Sequence, residues 1–264
     1  MKKSGLFFVG LLLSVFCLTS CLEGSNVSEG YGLGVLGLNN NLTPILKTPV
    51  CSFASANLNS LLNAGTMQLD NCYYFYYQIN FDLPENGDKF VESNGFYTIT
   101  LLEFAELSKY YLSSSLTDNT TALPDEKPVL KGFINSNYVE GYLFIEQTVY
   151  QPSDMELWWD LSYDYNTMMP TVEGNNRYYD LYIRAIMEKE GTKDLVEMSY
   201  LNAYYMGNYL RNAANNEKTY LGINYSETSS QFKVRFNYVT SINENTGELI
   251  WESEQIEVDI APLL

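Results

Sequence analysis

Alternation of apolar and polar residues is the feature that most narrows the folds open to this chain. In segment 232–238, aromatic or aliphatic residues occupy every even position, and Lys, Arg or Asn occupies every odd one. Segments 179–187 and 256–260 repeat the pattern. A single apolar side is typical of strands in antiparallel sheets with one buried face. Because Asn245-Thr246-Gly247 separates two such segments as a turn, the second half of the chain is predicted to be an antiparallel β-sandwich.

The first half of the chain is also rich in strand-forming residues. Segment 72–81 reads Cys-Tyr-Tyr-Phe-Tyr-Tyr-Gln-Ile-Asn-Phe, and aromatic residues on both of its sides predict a central strand. Segments 50–54 and 96–104 are further predicted strands. Segments 101–112 and 194–214 carry apolar residues every three or four positions, which favours helices. The predicted fold class is therefore all-β, with one or two short helices.

A change in composition suggests where two domains meet. Segment 113–128 is rich in Ser, Thr, Asp, Asn and Pro and nearly free of large apolar residues, as loops are. The predicted boundaries are a signal peptide at 1–20, a tether at 21–29, an N-terminal β domain at 30–115, a linker at 116–128 and a C-terminal β-sandwich domain at 129–264.

The N-terminus carries an export signal. Lys2 and Lys3 precede an apolar run over residues 5–18, which is too short for a membrane-spanning helix of roughly 20 apolar residues. The run ends at Leu18-Thr19-Ser20-Cys21, which resembles the lipobox of bacterial lipoproteins. This resemblance implies cleavage before Cys21 and acylation of its thiol. We therefore expect a lipid-anchored protein of the bacterial cell envelope, at the outer membrane. The sequence does not distinguish the periplasmic face of that membrane from its outer surface.

Two cysteines remain once Cys17 leaves with the signal peptide and Cys21 is acylated. Cys51 and Cys72 then lie in a compartment that permits disulfides. They form either a disulfide, which would close a loop of about 20 residues, or two buried thiols. The sequence leaves both arrangements open.

Charge and the absence of histidine exclude several classes of function. The net charge of −17 becomes −19 when the two lysines of the signal peptide are removed, and such a surface repels nucleic acid. The chain contains no His, so His-dependent triads and imidazole metal sites are excluded. It also has no glycine-rich phosphate-binding motif. We predict no cofactor, no metal site, no nucleic-acid partner and no catalytic residue.

Adjacent tryptophans mark the segment that offers a candidate ligand-binding site, made of Trp158, Trp159 and Asp160. Trp158 and Trp159 stand among acidic residues, and consecutive residues of a strand point to opposite faces. One ring is therefore predicted to enter the core and the other to face outward. Aromatic packing within the protein is the preferred interpretation, and only an outward ring with a carboxylate such as Asp160 beside it would favour a sugar site.

Acidic residues in the same region allow two further chemistries. Paired carboxylates hydrolyse glycosides without histidine, and carboxylate and amide oxygens bind calcium. The hydrolase residues would be drawn from Asp154, Glu156, Asp160 and Asp164, and the calcium ligands from these together with Asn243, Asn245 and Glu248. Because the chain has 32 acidic residues, clusters arise by chance, and a solvated acidic loop is the preferred interpretation.

A glycine-rich stretch soon after the lipobox carries a family resemblance. Gly30-Tyr31-Gly32-Leu33-Gly34, followed by a small and then a larger β-rich region, resembles the NigD-like lipoproteins of Bacteroidetes. The resemblance implies a small N-terminal OB-like barrel and a C-terminal β-sandwich. It implies no catalytic site.

These observations predict a lipid-anchored envelope lipoprotein with a non-catalytic accessory or binding role. Its partner would be an envelope protein or a glycan, in addition to the membrane that holds its lipid. An envelope carbohydrate-binding lipoprotein is the first alternative, and a carboxylate-dependent hydrolase is the second.

Overall fold

The computed structural model describes residues 26–115, 120–131, 137–164, 168–225 and 231–260. The described chain divides between Lys109 and Tyr110 into two compact units. The segment predicted as a linker at 116–128 belongs to the second unit. Its residues 116–119 lie outside the described ranges, but Glu126–Lys127 forms a strand that pairs with Ala185 and Ile186. Two residues of this segment are therefore part of a sheet.

The N-terminal unit is a closed barrel of five strands. The strands are β1 (Val27–Leu38), β2 (Pro44–Lys47), β3 (Ser52–Ser55), β4 (Cys72–Asn80) and β5 (Tyr97–Glu106). Helices α1 (Leu58–Asn63) and α2 (Asp88–Asn94) and a 3-10 turn (Pro84–Asn86) lie in the connections. The strand order is β1-β2-β3-β5-β4, with β3 and β5 parallel. A small five-stranded barrel is the OB architecture, which confirms the predicted OB-like domain.

The central aromatic strand predicted at 72–81 is confirmed as β4. Tyr73 and Phe75 are 0% exposed inside the barrel, and Ile79 is 5% exposed. The helix predicted at 101–112 is wrong, because β5 continues to Glu106 and pairs with β4 over almost its whole length. Pairing with an aromatic strand satisfies the backbone of this segment, and its helical spacing of apolar residues is coincidental.

The glycine-rich stretch at 30–34 shapes the barrel wall. A Cβ atom on Gly32 would lie 2.3 Å from Cζ of Phe75, so only glycine leaves room for that ring. Tyr31 points outward, and its ring stacks on Tyr76 at a centroid distance of 4.7 Å and on Tyr74 at 5.5 Å. The stretch thus combines a close inner contact with an outer row of tyrosines.

The C-terminal unit contains two sheets and helix α3 (Gly207–Leu221). The four-stranded sheet has the order β6-β14-β10-β9 and contains β6 (Ser108–Tyr111), β9 (Asn137–Val139), β10 (Tyr142–Pro152) and β14 (Leu195–Tyr205). The seven-stranded sheet contains β7 (Ser113–Ser115), β8 (Glu126–Lys127), β11 (Glu156–Asp164), β12 (Thr171–Glu173), β13 (Asn176–Lys189), β15 (Gln231–Ile242) and β16 (Leu249–Asp259).

Both sheets and α3 contribute to one hydrophobic core. Leu143 of β10, Leu181 of β13, Phe236 of β15 and Leu210 of α3 are all 0% exposed in the same cluster. The burial of alternate residues along β15 confirms the strand predicted there. Two sheets that share a core are a sandwich, so the predicted fold class is confirmed.

The seven-stranded sheet is mixed rather than purely antiparallel as predicted. Strand β13 pairs in parallel with β15, and β11 pairs in parallel with β7. Parallel neighbours need a crossover connection. Between β13 and β15 the crossover consists of β14, which lies in the other sheet, and α3.

The helix predicted at 194–214 is wrong over its first half. Leu195–Tyr205 is strand β14, which pairs with β10 along its full length. The helix begins only at Gly207 and ends at Leu221, where Gly222 adopts the left-handed conformation with φ 68°. Long-range pairing therefore overrides a helical spacing of apolar residues in this segment.

No disulfide joins Cys51 and Cys72. Cys72 begins β4 and Cys51 directly precedes β3, and these two strands are not neighbours in the barrel. Burial raises the pKa of the Cys72 thiol to about 12. Cys72 is buried and Cys51 is half-buried.

Candidate functional site

Strand β11 presents its two tryptophans to opposite sides of the sheet, which confirms the predicted alternation. Trp159 is 1% exposed and packs in the core, where its ring lies 5.6 Å from that of Tyr200. Trp159 is therefore a core residue and not the ligand-binding residue predicted, because its side of β11 faces the other sheet. Trp158 is 41% exposed, and Asp160, two residues further along, shares its outer face.

Asp160 lies in a polar setting on this outer face. The hydroxyl of Ser113 donates a hydrogen bond of 2.9 Å to its carboxylate. The residue directly across from it on β13 is Arg184, which is only 2% exposed. The Arg184 guanidinium lies 3.4 Å from a carboxylate oxygen of Glu126 and 5.3 Å from the ring centre of Trp251. Asp160 therefore borders a buried ion pair.

The side chain of Glu126 is fully buried in that ion pair. Burial raises the pKa of its carboxyl, while the Leu123 N–H and the Arg184 guanidinium act in the opposite direction. Its Oε1 atom is buried and accepts no hydrogen bond from the residues that the structure describes. The free-energy cost of desolvating both charges offsets much of their attraction, so the pair adds little to the free energy of unfolding. We assign it instead to fixing the position of β8 beside β13.

Two acidic residues predicted as hydrolase candidates brace local structure instead. Asp154 Oδ1 accepts hydrogen bonds of 2.9 Å from the N–H groups of Thr192 and Lys193, and these bonds lower the pKa of its carboxyl. Glu156 forms an ion pair of 2.9 Å with Lys189. Both carboxylates therefore have a structural role that requires no bound ligand.

The residues predicted as calcium ligands near 243–248 shape a hairpin. Asn243 Oδ1 accepts the N–H groups of Asn245 and Thr246, and the N–H of Gly247 donates to the Asn243 carbonyl at 2.7 Å. This geometry confirms the turn predicted between β15 and β16. Over the ranges that the structure describes, no three His, Cys, Asp or Glu side chains form a group able to hold a metal ion.

Helix α3 carries a buried carboxylate that the sequence analysis did not predict. Glu217 has a fully buried side chain and accepts hydrogen bonds of 2.8 Å from the Tyr179 hydroxyl and 2.7 Å from the Tyr225 hydroxyl. Its Oε2 atom also lies 3.4 Å from Nε of Arg177. Burial, and then the bond to Glu217, raises the pKa of Tyr225 to about 12.

The cluster around Glu217 borders a cavity of about 130 Å³. That space is small for an organic ligand, which typically occupies roughly 300 Å³ or more. Because hydroxyl donors already satisfy the Glu217 carboxylate, we assign the cluster to fixing α3 on the seven-stranded sheet. Its one sequence signal is spacing, since Glu217 follows the buried residues Leu210, Ala213 and Ala214 at helical intervals.

The N-terminal barrel carries a larger cavity, of about 410 Å³. It lies between the β1–β2 turn and the connection from α2 to β5. Its lining is Leu38, Asn39, Asn40, Asn41, Ile45, Lys47, Ser93, Asn94 and Gly95. Sequence reasoning missed this site because no single segment contains it.

Cys21 lies outside the described residues. Among the residues that are described, no helix is both long and apolar enough to cross a membrane.

Comparison with known proteins identifies the N-terminal domain. Residues 24–105 match the family model described as the lipoprotein OB domain. No curated protein matches the chain.

Solved structures extend the likeness to both domains. An uncharacterised protein from Parabacteroides merdae superposes with a TM-score of 0.71 at 20% identity, covering 87% of this chain and 98% of the other. A protein from Parabacteroides distasonis described as toxin related gives a TM-score of 0.52 at 10% identity, covering 88% and 94%. A NigD-like immunity protein from Bacteroides caccae gives 0.46 at 10% identity, covering 88% and 94%. The match over residues 24–105 confirms the predicted resemblance at the level of the lipoprotein OB domain. The Parabacteroides merdae structure shows that the fold is shared over both domains.

Proposed function

We propose that this chain, whose residues 24–105 match the lipoprotein OB domain, is a non-catalytic binding protein held at the bacterial outer membrane by lipid on Cys21. The match to that family carries the proposal, because it starts at residue 24, directly behind the predicted lipobox. Strand β1 begins at Val27. The five residues between Cys21 and β1 span at most about 20 Å when extended, so the barrel would remain near the bilayer surface.

A non-catalytic role is supported by the contacts of the acidic candidates. Asp154 braces a loop and Glu156 pairs with Lys189, and neither contact suggests a carboxylate poised beside a substrate. Glycoside hydrolysis needs two carboxyl groups facing one cleft. The hydrolase alternative therefore has no geometric support from these residues.

Substitution of the proposed lipid site tests the anchor directly. In cells fed an alkyne-bearing fatty acid, Cys21→Ala is expected to abolish labelling of the protein. The lipid-anchored form of the protein is then expected to be absent from the membrane fraction. The matched variant Cys17→Ala, within the same signal segment, is expected to label normally. Labelling of the Cys21→Ala protein at the original level would contradict the proposal.

Carbohydrate binding at the outer face of the sandwich is a second candidate function. The observation in its favour is the outward ring of Trp158, 41% exposed beside Asp160. An exposed indole offers a flat apolar surface for the C–H face of a sugar, and the carboxylate accepts bonds from hydroxyl groups.

A glycan array tests this candidate. Trp158→Ala is expected to reduce retained glycan at least tenfold, because the ring supplies most of the apolar contact. Tyr220→Ala removes an aromatic ring that is 72% exposed at the end of α3 and is expected to bind like the unmodified protein. Equal binding by the two variants would remove the Trp158 surface from consideration.

A further inference from the structure

The connection between β4 and β5 carries three large apolar side chains on its surface. Phe81 is 46% exposed, Leu83 is 39% exposed and Phe90 is 36% exposed. The Phe81 ring meets Tyr97 edge-on with 6.3 Å between the ring centres, and the Phe90 ring meets Phe96 in the same way at 6.0 Å. We call Phe81, Leu83 and Phe90 the apolar rim. Exposed apolar groups gathered on one connection mark a contact surface.

The apolar rim lies at the end of the barrel where the chain enters it. Strands β1 and β4 are antiparallel, and Val27, the first residue of β1, lies opposite Asn80, the last residue of β4. The carbonyl of Asn26 accepts a hydrogen bond of 2.9 Å from the Phe81 N–H. The Asn26 side chain also donates one of 2.9 Å to the Asp82 carboxylate. The segment that leads into β1 is therefore fastened directly beside the rim.

A buried asparagine holds the β4–β5 connection in place. The Asn86 side chain is 4% exposed and donates hydrogen bonds of 2.8 Å to the carbonyls of Asn80 and Thr98. Its oxygen accepts the Thr98 N–H at 2.7 Å. Because these bonds tie the connection to the end of β4 and the start of β5, the rim is ordered before any partner arrives. Such order lowers the entropic cost of binding.

The distance from the proposed lipid site to the rim is short. Cys21 precedes Asn26 by five residues, which span at most about 18 Å when fully extended. Lipid on Cys21 would therefore hold this end of the barrel beside the headgroup layer. The β1–β2 turn is farther away, because the twelve residues of β1 carry the chain roughly 30 Å towards the other end of the barrel.

The charges of the connection decide which contact the rim can make. Four acidic residues and one basic residue lie on it, namely Asp82, Glu85, Asp88, Glu92 and Lys89. Attraction to anionic headgroups requires a basic cluster, so this surface can approach a bilayer only through its apolar groups. Aromatic rings suit the interface between headgroups and acyl chains. A second copy of the chain would bring like charges together at this surface, which opposes self-association.

We propose that the apolar rim inserts among neutral lipid headgroups of the bilayer that holds the lipid on Cys21, so that the barrel is seated on the membrane. The inference rests on the proposed function, because the lipid is what brings the rim to the bilayer. It adds a non-covalent membrane contact to the covalent anchor. The β1–β2 turn then faces away from the membrane.

Quenching of an added tryptophan by brominated lipid tests this contact in the acylated mature protein. Phe81→Trp keeps an aromatic ring in the rim, and Leu69→Trp places the same probe at the opposite end of the barrel, on a residue that is 41% exposed. The vesicles are phosphatidylcholine brominated close to the headgroup. Because interfacial side chains insert roughly 5–10 Å, the fluorescence added by Phe81→Trp is expected to fall by about half or more, and that added by Leu69→Trp to stay unchanged. The unmodified chain supplies the baseline of the three native tryptophans, which all lie in the C-terminal unit.

Further variants test whether the apolar side chains make the contact. In the Phe81→Trp chain, Leu83→Ser combined with Phe90→Ser removes the rest of the rim and is expected to reduce the quenching about twofold or more. Leu42→Ser removes a leucine that is 76% exposed in the β1–β2 turn and is expected to leave the quenching unaltered. Hydrogen exchange of residues 27–106 in detergent confirms that the barrel is intact in each variant. Replacing part of the phosphatidylcholine with phosphatidylglycerol is expected to lower the quenching, and a rise would contradict the proposal.

Two other results would overturn the assignment. One is equal quenching of Phe81→Trp and Leu69→Trp, and the other is a blue shift of the Phe81→Trp emission with rising protein concentration in detergent, which would assign the rim to a second copy of the chain. Mass spectrometry of the N-terminal peptide reports on acylation in the same samples. An acylated protein whose Phe81→Trp probe is not quenched overturns the rim contact alone, whereas an unacylated Cys21 overturns the proposed function and the rim contact with it.

Discussion

Replacing Glu217 with Ala is expected to lower the free energy of unfolding of the C-terminal unit by about 3–5 kcal/mol, as found when one partner of a buried charge cluster is removed. The variant would leave the hydroxyls of Tyr179 and Tyr225 without their acceptor, and it would leave the Arg177 guanidinium beside a cavity. Glu217→Gln retains an acceptor oxygen and the side-chain shape, so it is expected to cost less, about 1–3 kcal/mol.

Urea unfolding followed by tryptophan fluorescence measures this effect, because all three tryptophans lie in the C-terminal unit. Lys218→Ala, on the exposed side of the same helix, serves as the matched control and is expected to change the free energy of unfolding by less than about 0.5 kcal/mol. If Glu217→Ala and Lys218→Ala unfold at the same urea concentration, Glu217 does not anchor the helix.

Replacing Gly32 with Ala is expected to destabilise the N-terminal barrel by about 1–3 kcal/mol or more, the range observed for overpacked cores. The new Cβ would lie 2.3 Å from the Phe75 ring, which is 0% exposed and cannot turn into solvent. Hydrogen exchange of peptides from residues 27–106 provides the measurement, since tryptophan fluorescence does not report on this unit.

Two companion variants give the Gly32 prediction its control. Gly87→Ala lies in the same unit at φ −70°, where its Cβ would come no closer than 3.4 Å to another group, so its effect is expected to stay within about 0.5 kcal/mol. Adding Phe75→Leu to Gly32→Ala makes room for the methyl group. The double variant is therefore expected to be more stable than the sum of the two single effects predicts, and strict additivity would argue against the clash.

Sequence periodicity predicts the secondary structure correctly where the local pattern and the tertiary packing agree. The alternation at 232–238 predicts β15 because its inward side chains enter the core and its outward ones face solvent or ion pairs. It failed at 194–214, where apolar residues recur every three or four positions but β14 pairs with β10. The competing strand lies about fifty residues earlier in the chain, and no local pattern contains that information.

The candidate sites also depend partly on local pattern and partly on long-range packing. Alternation along β11 predicts that one tryptophan faces inward and the other outward, but only the position of the second sheet decides that Trp159 is the buried one. The partners of Glu217 come from β13 and from the loop after α3, so its burial follows from topology rather than from any motif. The cavity beside Lys47 joins two distant loops and has no signature in either.

Mass spectrometry of the N-terminal peptide of the membrane-extracted protein tests the central claim most directly. The account predicts that the mature chain begins at Cys21 and that this residue carries the mass of its acyl chains, with residues 1–20 absent. A chain that begins at Met1, or one cleaved elsewhere with an unmodified Cys21, would contradict the claim that this is a lipid-anchored envelope protein.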